Sequence, residues 1–293
     1  MSGVRVAVIG LGAMGLPMAA HLAGEFPVTA FDVDAERRAD AVSRGAAEAT
    51  TPAGAAADAD VVLLAVRDQQ QVEAALFGPD GVASSLRPGA VVVLTSTVGP
   101  QAARDTAARL PDHRLVDAPV SGGPTRAGCG DLLVVVGADA EALAVAGPVL
   151  DRLASTCTVV GPNPGDGQAL KAINQLLAGV HIAAAAEAVA LARGIGLDPA
   201  AVVAALGKGA ASSFVLSDRG PRMVEAYADG AEVRSRLDIF VKDMGIVSEL
   251  ARESRVPTPL ASAAHQLYLL GEQAGLGAAD DSAVVTVLSP KGR

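Results

Sequence analysis

Short apolar runs alternate with helical stretches along the first part of the chain. Seven runs rich in β-branched residues occur up to about residue 161, at 4–9, 28–31, 60–66, 90–94, 114–117, 132–136 and 156–160. Each run is bounded by Gly, Pro, Asn or Asp, which are typical of strand ends. Apolar strands that alternate with helices indicate a parallel sheet covered on both faces. We therefore predict a doubly wound α/β domain.

The second part of the chain has a different pattern, in which apolar residues recur with helical spacing. The predicted helices cover residues 167–194, 199–207, 214–226, 237–254 and 259–274. The change falls near residues 161–167, where Pro162, Pro164 and three glycines cluster. We predict an α/β domain over residues 1–163 and an all-α domain over residues 164–293.

Composition narrows the classes of partner. The net charge of -9 argues against nucleic-acid and anionic-membrane partners, because both attract basic surfaces. The most apolar run, residues 176–192, contains His181 and Glu187 and falls short of a membrane span. The N-terminus enters a predicted strand without a basic and then apolar leader. We expect a cytoplasmic protein with a small-molecule substrate.

Two cysteines are present, and their spacing fits no metal site. Cys129 and Cys157 lie far apart and belong to no Cys/His ligand pattern. We predict two buried, reduced thiols and no metal ion.

A glycine-rich turn follows the first predicted strand. It reads Gly10-Leu11-Gly12-Ala13-Met14-Gly15 and leads into a helix. The first glycine can make the tight turn, the second lets the backbone approach a pyrophosphate, and the third allows close packing of helix and strand. This context predicts a dinucleotide site in a Rossmann-type domain.

Asp32 closes the second predicted strand and bears on the choice of dinucleotide. A carboxylate there can accept hydrogen bonds from both ribose hydroxyls and repels a 2′-phosphate, so NAD is favoured over NADP. Arg37 and Arg38 follow closely and could grip a phosphate. The alternative, which we favour, is that both arginines lie on a solvated helix face.

Two further stretches carry candidate chemistry. Residues 117–123 read Asp-Ala-Pro-Val-Ser-Gly-Gly at a predicted strand end, where a hydroxyl and open N–H groups could bind a carboxylate. At the start of the long helix, Lys171 and Asn174 are three residues apart and share a face. A lysine in a water-poor cleft can have its pKa lowered to ~7–8 and then act as a general acid or base. By itself, however, a helical lysine is more often a solvated surface residue.

The motifs together resemble those of the β-hydroxyacid dehydrogenase family, which includes 3-hydroxyisobutyrate dehydrogenases and tartronate semialdehyde reductases and is related to 6-phosphogluconate dehydrogenase. The resemblance extends from Gly10 to the end of the chain. It rests on residues 10–19, 96–98, 117–123, 171–175 and 240–244. It implies an NAD-dependent oxidoreductase acting on a CH–OH group.

The resemblance also implies a role for each matched position. Lys171 would transfer the proton, with Asn174 holding the substrate or the lysine. Ser121, Gly122 and Gly123 would bind the substrate carboxylate. Ser96, Thr97 and Lys242 would contact the cofactor, together with the glycine turn and Asp32.

Similarities to particular members of the family bear on the substrate, and the family as a whole bears on the oligomeric state. Residues 176–187, 237–243 and 280–285 resemble those of L-threonate dehydrogenases. That implies an enzyme like the L-threonate 2-dehydrogenases, with tartronate semialdehyde reductase and 3-hydroxyisobutyrate dehydrogenase as alternatives. The sequence leaves both C2 and C3 open as the carbon that is oxidised. An imine reductase would typically lack the lysine, and a non-catalytic cofactor-binding protein would not need it. The family also implies a homodimer or homotetramer.

The chain departs from the family pattern at two places. Residues 93–95 read Val-Leu-Thr where an aspartate is common, and Gln175 replaces a frequent second asparagine. His181 lies two turns after Asn174, where it could contact distal substrate hydroxyls or a neighbouring helix.

Overall fold

The computed structural model describes residues 3–228 and 230–289 of the chain. They form two compact units, one ending at Lys171 and one beginning at Ala172. The first unit contains the sheet and the second consists of helices, so the predicted α/β domain followed by an all-α domain is confirmed. The division falls inside a long helix, whereas the pattern of prolines and glycines places the boundary at 163/164.

Among the described residues, a nine-stranded sheet is the framework of the first unit. Its strands are β1 Val6–Ile9, β2 Val28–Phe31, β3 Ala47–Glu48, β4 Val61–Leu64, β5 Val91–Leu94, β6 Arg114–Asp117, β7 Val120–Ser121, β8 Leu132–Gly137 and β9 Ala154–Gly161. The strand order is β3-β2-β1-β4-β5-β6-β8-β7, and β9 pairs with β8. Strands β1 to β6 are all parallel. The order reverses between β1 and β4, so a ligand crevice is expected at the carboxyl ends of these strands.

Helices cover both faces of this sheet. They are α1 Gly15–Ala23, α2 Ala35–Ser43, α3 Pro52–Ala56, α4 Gln69–Phe77, α5 Pro100–Ala108, α6 Gly123–Ala127, α7 Ala140–Leu153 and the first turns of α8 Asp166–Gly194, with a 3₁₀ turn at Val82–Ser84. Polar side chains at Asp34, Thr51, Asp68 and Asp139 accept backbone N–H bonds at the starts of α2, α3, α4 and α7. Such caps satisfy N–H groups that have no partner inside the helix, and therefore mark where each helix begins.

Alternate residues of the central strands pack into two separate cores. Val8, Leu63 and Val93 point to the face that carries α1 and α7. Ile9 and Leu64 point to the opposite face, which carries α3, α4 and α5. Because each strand is buried on both faces, its sequence is continuously apolar, and this is why the strands could be predicted.

The second unit is a helical assembly around its own core. It contains α8 from Ala172 onward, then α9 Pro199–Leu206, α10 Phe214–Ala226, α11 Leu237–Ser254, α12 Pro259–Gln273 and α13 Val285–Leu288, with a 3₁₀ turn at Asp281–Val284. In the core, the Phe240 and Tyr268 rings stack with centroids 5.4 Å apart. The Tyr268 hydroxyl donates to the Gly179 carbonyl on α8 at 2.7 Å. These contacts join α8, α11 and α12.

The Asp280 carboxylate, near the end of the chain, connects separate segments of the helical unit. Asp280 is buried and forms an ion pair with the buried Arg222. The same carboxylate accepts the N–H groups of Arg234 and Ser235, which lead into α11. Removing either Asp280 or Arg222 would leave a buried charge unpaired. Because Asp280 also accepts the two backbone N–H groups, the Asp280–Arg222 ion pair holds the segment that leads into α11.

Two features of the sheet and the thiols differ from the sequence predictions. Strand β8 runs antiparallel to β6 and β7, and the two-residue strands β3 and β7 were not predicted. The prediction of buried thiols is wrong. Cys129 and Cys157 are free but exposed. Cys157 lies on β9, which pairs only with β8 in the described sheet and is exposed along most of its length.

Helix α8 is long and apolar enough to cross a membrane by length and composition alone. A core helix of a soluble protein passes the same test, and Ile182, Ala186 and Val189 of α8 pack into the helical core. The helix is therefore weak evidence for a membrane span.

Candidate active site

The glycine turn lies at the carboxyl end of β1. Gly10 has φ of +94°, and a Cβ there would lie 2.7 Å from the Ala65 carbonyl oxygen. A Cβ on Gly15 would collide with the Gly10 carbonyl oxygen. Gly12 differs, because a Cβ there meets nothing within 4 Å among the described residues. The fold itself thus needs Gly10 and Gly15, while the space beside Gly12 suits the close approach of a pyrophosphate.

The start of α1 suits the same ligand. No side chain of the described residues caps this helix at Met14, and its first turn contains no acidic residue. Several other helices of this unit begin with an aspartate or threonine cap. The first turn of α1 therefore contributes neither a capping side chain nor a carboxylate of its own, as expected where a helix start binds an anion.

Asp32 is fixed against the glycine turn. Its side chain is buried, and its Oδ2 accepts the N–H of Leu11 at 2.7 Å while its Oδ1 accepts the N–H of Asp34 at 2.9 Å. Each carboxylate oxygen can accept more than one hydrogen bond, so capacity remains for ribose hydroxyls. The carboxylate therefore lies beside the turn with both oxygens able to accept further hydrogen bonds.

The two neighbouring arginines differ in exposure, since Arg37 lies on the solvated face of α2 as predicted and Arg38 is half-buried. Arg38 donates to the Asp32 carbonyl oxygen at 2.8 Å and pairs with Glu48. Arg37 lies 3.7 Å from Asp32 Oδ2 and 3.6 Å from Asp34. Arg38 thus supports the end of β2, and the charge of Arg37 is directed to two carboxylates.

Ser96 follows β5 and ties its end to β4. Its hydroxyl accepts the N–H of Val66 at 3.0 Å and donates to the Leu64 carbonyl at 3.3 Å. The residue is buried, and the following Thr97 is half-buried. The carboxyl ends of β1, β2 and β5 therefore bring the predicted cofactor residues of this unit to one edge of the sheet.

The Ser121 loop lies at the same edge. Ser121 ends β7, which pairs antiparallel with β8. Gly122 and Gly123 follow with φ of +147° and +77°, a backbone conformation that favours glycine. All three residues are partly or fully accessible. Accessible N–H groups and a hydroxyl at a strand end are suited to binding a carboxylate.

Asp117 caps the start of α8, a contact that the sequence reasoning missed. The Asp117 Oδ2 accepts the N–H groups of Gly165 and Gln168 at 2.8 and 2.9 Å. Burial raises the pKa of this carboxyl to about 6, although the hydrogen bonds from Gln168 and Gly165 oppose the shift. Lys171 lies one turn further along α8 and is only 7% exposed. The alternative interpretation, that Lys171 is a solvated surface residue, is therefore wrong.

In the helical unit, a hydrogen-bond chain connects two predicted site residues. Asn174 Nδ2 donates to Gln175 Oε1 at 2.9 Å, and Gln175 Nε2 donates to Asp243 Oδ2. The other Asp243 oxygen accepts from Lys242 Nζ at 2.7 Å. Gln175, which departs from the family pattern, thus links Asn174 to Asp243.

His181 is exposed on α8. Within residues 3–228 and 230–289, no group of three or more His, Cys, Asp or Glu side chains could hold a metal ion.

Known proteins match both units. Residues 5–161 match the NAD binding domain of 6-phosphogluconate dehydrogenase, and residues 165–288 match the NAD-binding domain of NADP-dependent 3-hydroxyisobutyrate dehydrogenase. An L-threonate dehydrogenase of Cupriavidus necator is 42% identical over 97% of this chain and 95% of its own length. The enzyme of the same name from Pectobacterium atrosepticum is 40% identical over 98% and 95%.

One solved structure is similar to this chain in both fold and sequence. The 3-hydroxyisobutyrate dehydrogenase from Salmonella typhimurium superimposes with a TM-score of 0.90 at 36% identity, covering 97% of this chain and 99% of that one. The similarity in sequence and in structure extends over nearly the full length of each protein.

Proposed function

Because this chain belongs to the β-hydroxyacid dehydrogenase family and is an NAD-dependent oxidoreductase of hydroxy acids, we propose that it oxidises L-threonate at C2. The observation that carries this choice of substrate is the identity of about 40% with two L-threonate dehydrogenases over nearly the whole chain. The product would be the corresponding 2-oxo acid.

The proposed chemistry assigns the proton to Lys171. Its amine accepts the proton of the substrate hydroxyl in oxidation and returns it in reduction. The buried position of Lys171 suits this role, because it keeps the amine away from bulk water that could exchange its proton. Asn174 holds the substrate or the lysine, and the Ser121, Gly122 and Gly123 loop binds the substrate carboxylate.

The geometry of the glycine turn supports a proposal for the residues that bind the cofactor. Gly10 to Gly15 would hold the pyrophosphate, Asp32 the adenosine ribose, and Ser96, Thr97 and Lys242 other parts of NAD. When bound, NAD supplies the acceptor for the hydride. The chain's own residues position the substrate and move the proton.

A substrate screen tests this proposal. We expect NAD-dependent oxidation of L-threonate with kcat/KM roughly tenfold or more above that for 3-hydroxyisobutyrate and D-glycerate, since hydrogen bonds to extra hydroxyls discriminate strongly. Reduction of tartronate semialdehyde with NADH and of a cyclic imine with NADPH complete the screen. A preference for any of these over L-threonate would refute the proposed substrate.

The proposed role of Asp32 is tested by cofactor preference. Asp32→Ala should weaken NAD relative to NADP by roughly ten- to a hundredfold, because charged hydrogen bonds contribute about 1.5–3 kcal/mol. The ratio of kcat/KM for the two cofactors measures this effect, and thermal unfolding checks that the turn survives loss of the Leu11 and Asp34 contacts. An unchanged ratio would show that Asp32 does not select the cofactor.

An exposed face of α8 bears on the assembly of the protein. Exposed residues Ile173, Leu177, Ala184 and Leu191 recur at helical spacing along α8 and form one apolar stripe. Such a stripe is typical of a surface that another subunit covers, so we propose a homodimer or homotetramer. Sedimentation velocity measures the mass directly. We also propose a cytoplasmic location.

A further inference from the structure

The side chain of Gln168 occupies a fully buried junction at the start of α8. Its Nε2 donates to Asp117 Oδ1 and to the Ser96 carbonyl, both at 2.9 Å. Its Oε1 accepts the N–H groups of Val98 and Gly99 at 3.0 and 3.1 Å. Two donors and two acceptor sites are all that a glutamine amide has, so this amide is completely satisfied. It can therefore adopt only one orientation without loss of hydrogen bonds.

The same junction gathers three segments of the first unit. Ser96 to Gly99 follow β5, Asp117 ends β6, and Gln168 lies in the first turn of α8. Asp117 contacts this turn twice more through its Oδ2, which accepts the N–H groups of Gly165 and Gln168. A buried carboxylate at a helix N-terminus also interacts favourably with the helix dipole. The start of α8 is thus bound to two strand ends.

Close packing leaves this turn no room to shift. A Cβ on Gly167 would lie 2.8 Å from the carbonyl oxygens of both Asp117 and Val135. The backbone of α8 therefore sits directly against β6 and β8. Lys171 is three residues after Gln168 on the same helix, so a movement of the first turn moves the lysine with it.

We propose that Gln168 is a positioning residue for Lys171, held in its orientation by Asp117, Ser96 and the Val98 and Gly99 amides. The inference rests on the proposed function, in which Lys171 transfers the proton. Proton and hydride transfer need reacting atoms placed within a fraction of an ångström, and a misplacement of about 1 Å can cost on the order of a hundredfold in rate. A polar junction with a single satisfied arrangement supplies this precision better than an apolar contact, which has no orientation.

Two substitutions at this position separate hydrogen bonding from packing. Gln168→Met keeps the approximate length and removes all four hydrogen bonds. Gln168→Glu keeps the shape but replaces the two donated hydrogen bonds by repulsion toward Asp117 and the Ser96 carbonyl. For each variant, we expect kcat with L-threonate to fall about a hundredfold, while the substrate KM and the Kd for NADH change by less than about threefold.

A matched control is Gln69→Leu. Gln69 begins α4 and is half-buried, and its Nε2 donates to Glu73 and to Thr106 on α5. The Gln69 amide connects two helices, as the Gln168 amide connects α8 to two strand ends. Gln69 is not part of the proposed site. We expect its kcat to stay within twofold of the wild type. A loss of kcat in this variant as large as that in Gln168→Met would overturn the inference.

A double-mutant cycle with Lys171→Ala decides whether Gln168 acts through the lysine. If it does, adding Gln168→Met to Lys171→Ala should lower the residual single-turnover rate by less than threefold. A further hundredfold loss would show that Gln168 acts independently of Lys171 and would overturn the inference, leaving the proposed function intact. Near-normal turnover of Lys171→Ala alone would instead refute the proposed function. If Gln168→Met and Gln168→Glu both fail to bind NADH, Gln168 serves the cofactor segment after β5, to which its amide is bound. If both unfold at much lower temperature than the control, Gln168 serves the fold. Either result also overturns the inference.

Discussion

Lys171→Ala should lower turnover by a factor of about 10³–10⁴ and leave NADH affinity within threefold of the wild type. General acid–base catalysis typically contributes a factor of about 10²–10⁴, and a buried position leaves little water to substitute for the missing amine. The expected cofactor contacts lie elsewhere, in the glycine turn and at Asp32. Steady-state kinetics and an NADH fluorescence titration measure the two quantities separately.

Two further variants sharpen this test. Lys171→Arg keeps a positive charge but cannot release a proton near neutral pH, so we expect it to be as inactive as Lys171→Ala. Lys242→Ala should show the reverse pattern, with weaker NADH binding and a smaller loss of kcat. Turnover of Lys171→Ala within tenfold of the wild type would rule out the lysine as the proton carrier.

Gly12→Ala should abolish tight NADH binding without weakening the fold. A Cβ there meets no described atom within 4 Å, so the protein itself has room for the methyl group. The methyl would instead occupy the space through which a pyrophosphate approaches the backbone. We expect the Kd for NADH to rise about a hundredfold or more, with a change in the free energy of unfolding of about 0.5 kcal/mol at most. Titration with NADH and urea denaturation measure the two effects.

Gly15→Ala is the matched control within the same turn. Its Cβ would collide with the Gly10 carbonyl oxygen, so the backbone must move. We expect a destabilisation of roughly 3 kcal/mol or more, as for severe overpacking. Equal stability losses in Gly12→Ala and Gly15→Ala would contradict the assignment of Gly12 to the cofactor.

The architecture was predictable where burial imposes a simple pattern. Strand residues such as those of β4 and β5 are buried on both faces and therefore form short runs of Val and Leu. Helices α10 and α11 were predicted with the bounds that the structure shows, because their apolar residues recur with helical spacing. Strands β3 and β7 have only two residues each, too few to show any period.

Pairings between distant residues were not predictable in the same way. The antiparallel direction of β8 depends on the path of the chain after Ser121. The apolar run itself does not indicate whether its strand will be parallel or antiparallel to its neighbours. Asp117 and Gln168 lie 51 residues apart, and nothing in the sequence around either residue indicates that they meet. A carboxylate at the end of a buried strand needs donors, however, and that need was the one available signal.

The helical unit shows the same limit. Gln175 was recognised as a departure from the family pattern, but its role became visible only when α8 and α11 were seen together. Its amide joins Asn174 to Asp243, which lies 68 residues from Gln175. A departure in sequence can therefore be accommodated by a partner on another helix, which no reading of α8 alone would reveal.

The distribution of aromatic side chains gives the two units different optical signatures. The chain has no tryptophan, and its two tyrosines, Tyr227 and Tyr268, both belong to the helical unit. Tyr268 is stacked on Phe240 in the core, so near-ultraviolet circular dichroism from tyrosine reports on tertiary packing in that unit. Fluorescence of NADH would report on the glycine turn of the other unit. One denaturation experiment can thus follow each unit in its own spectral channel without any added label.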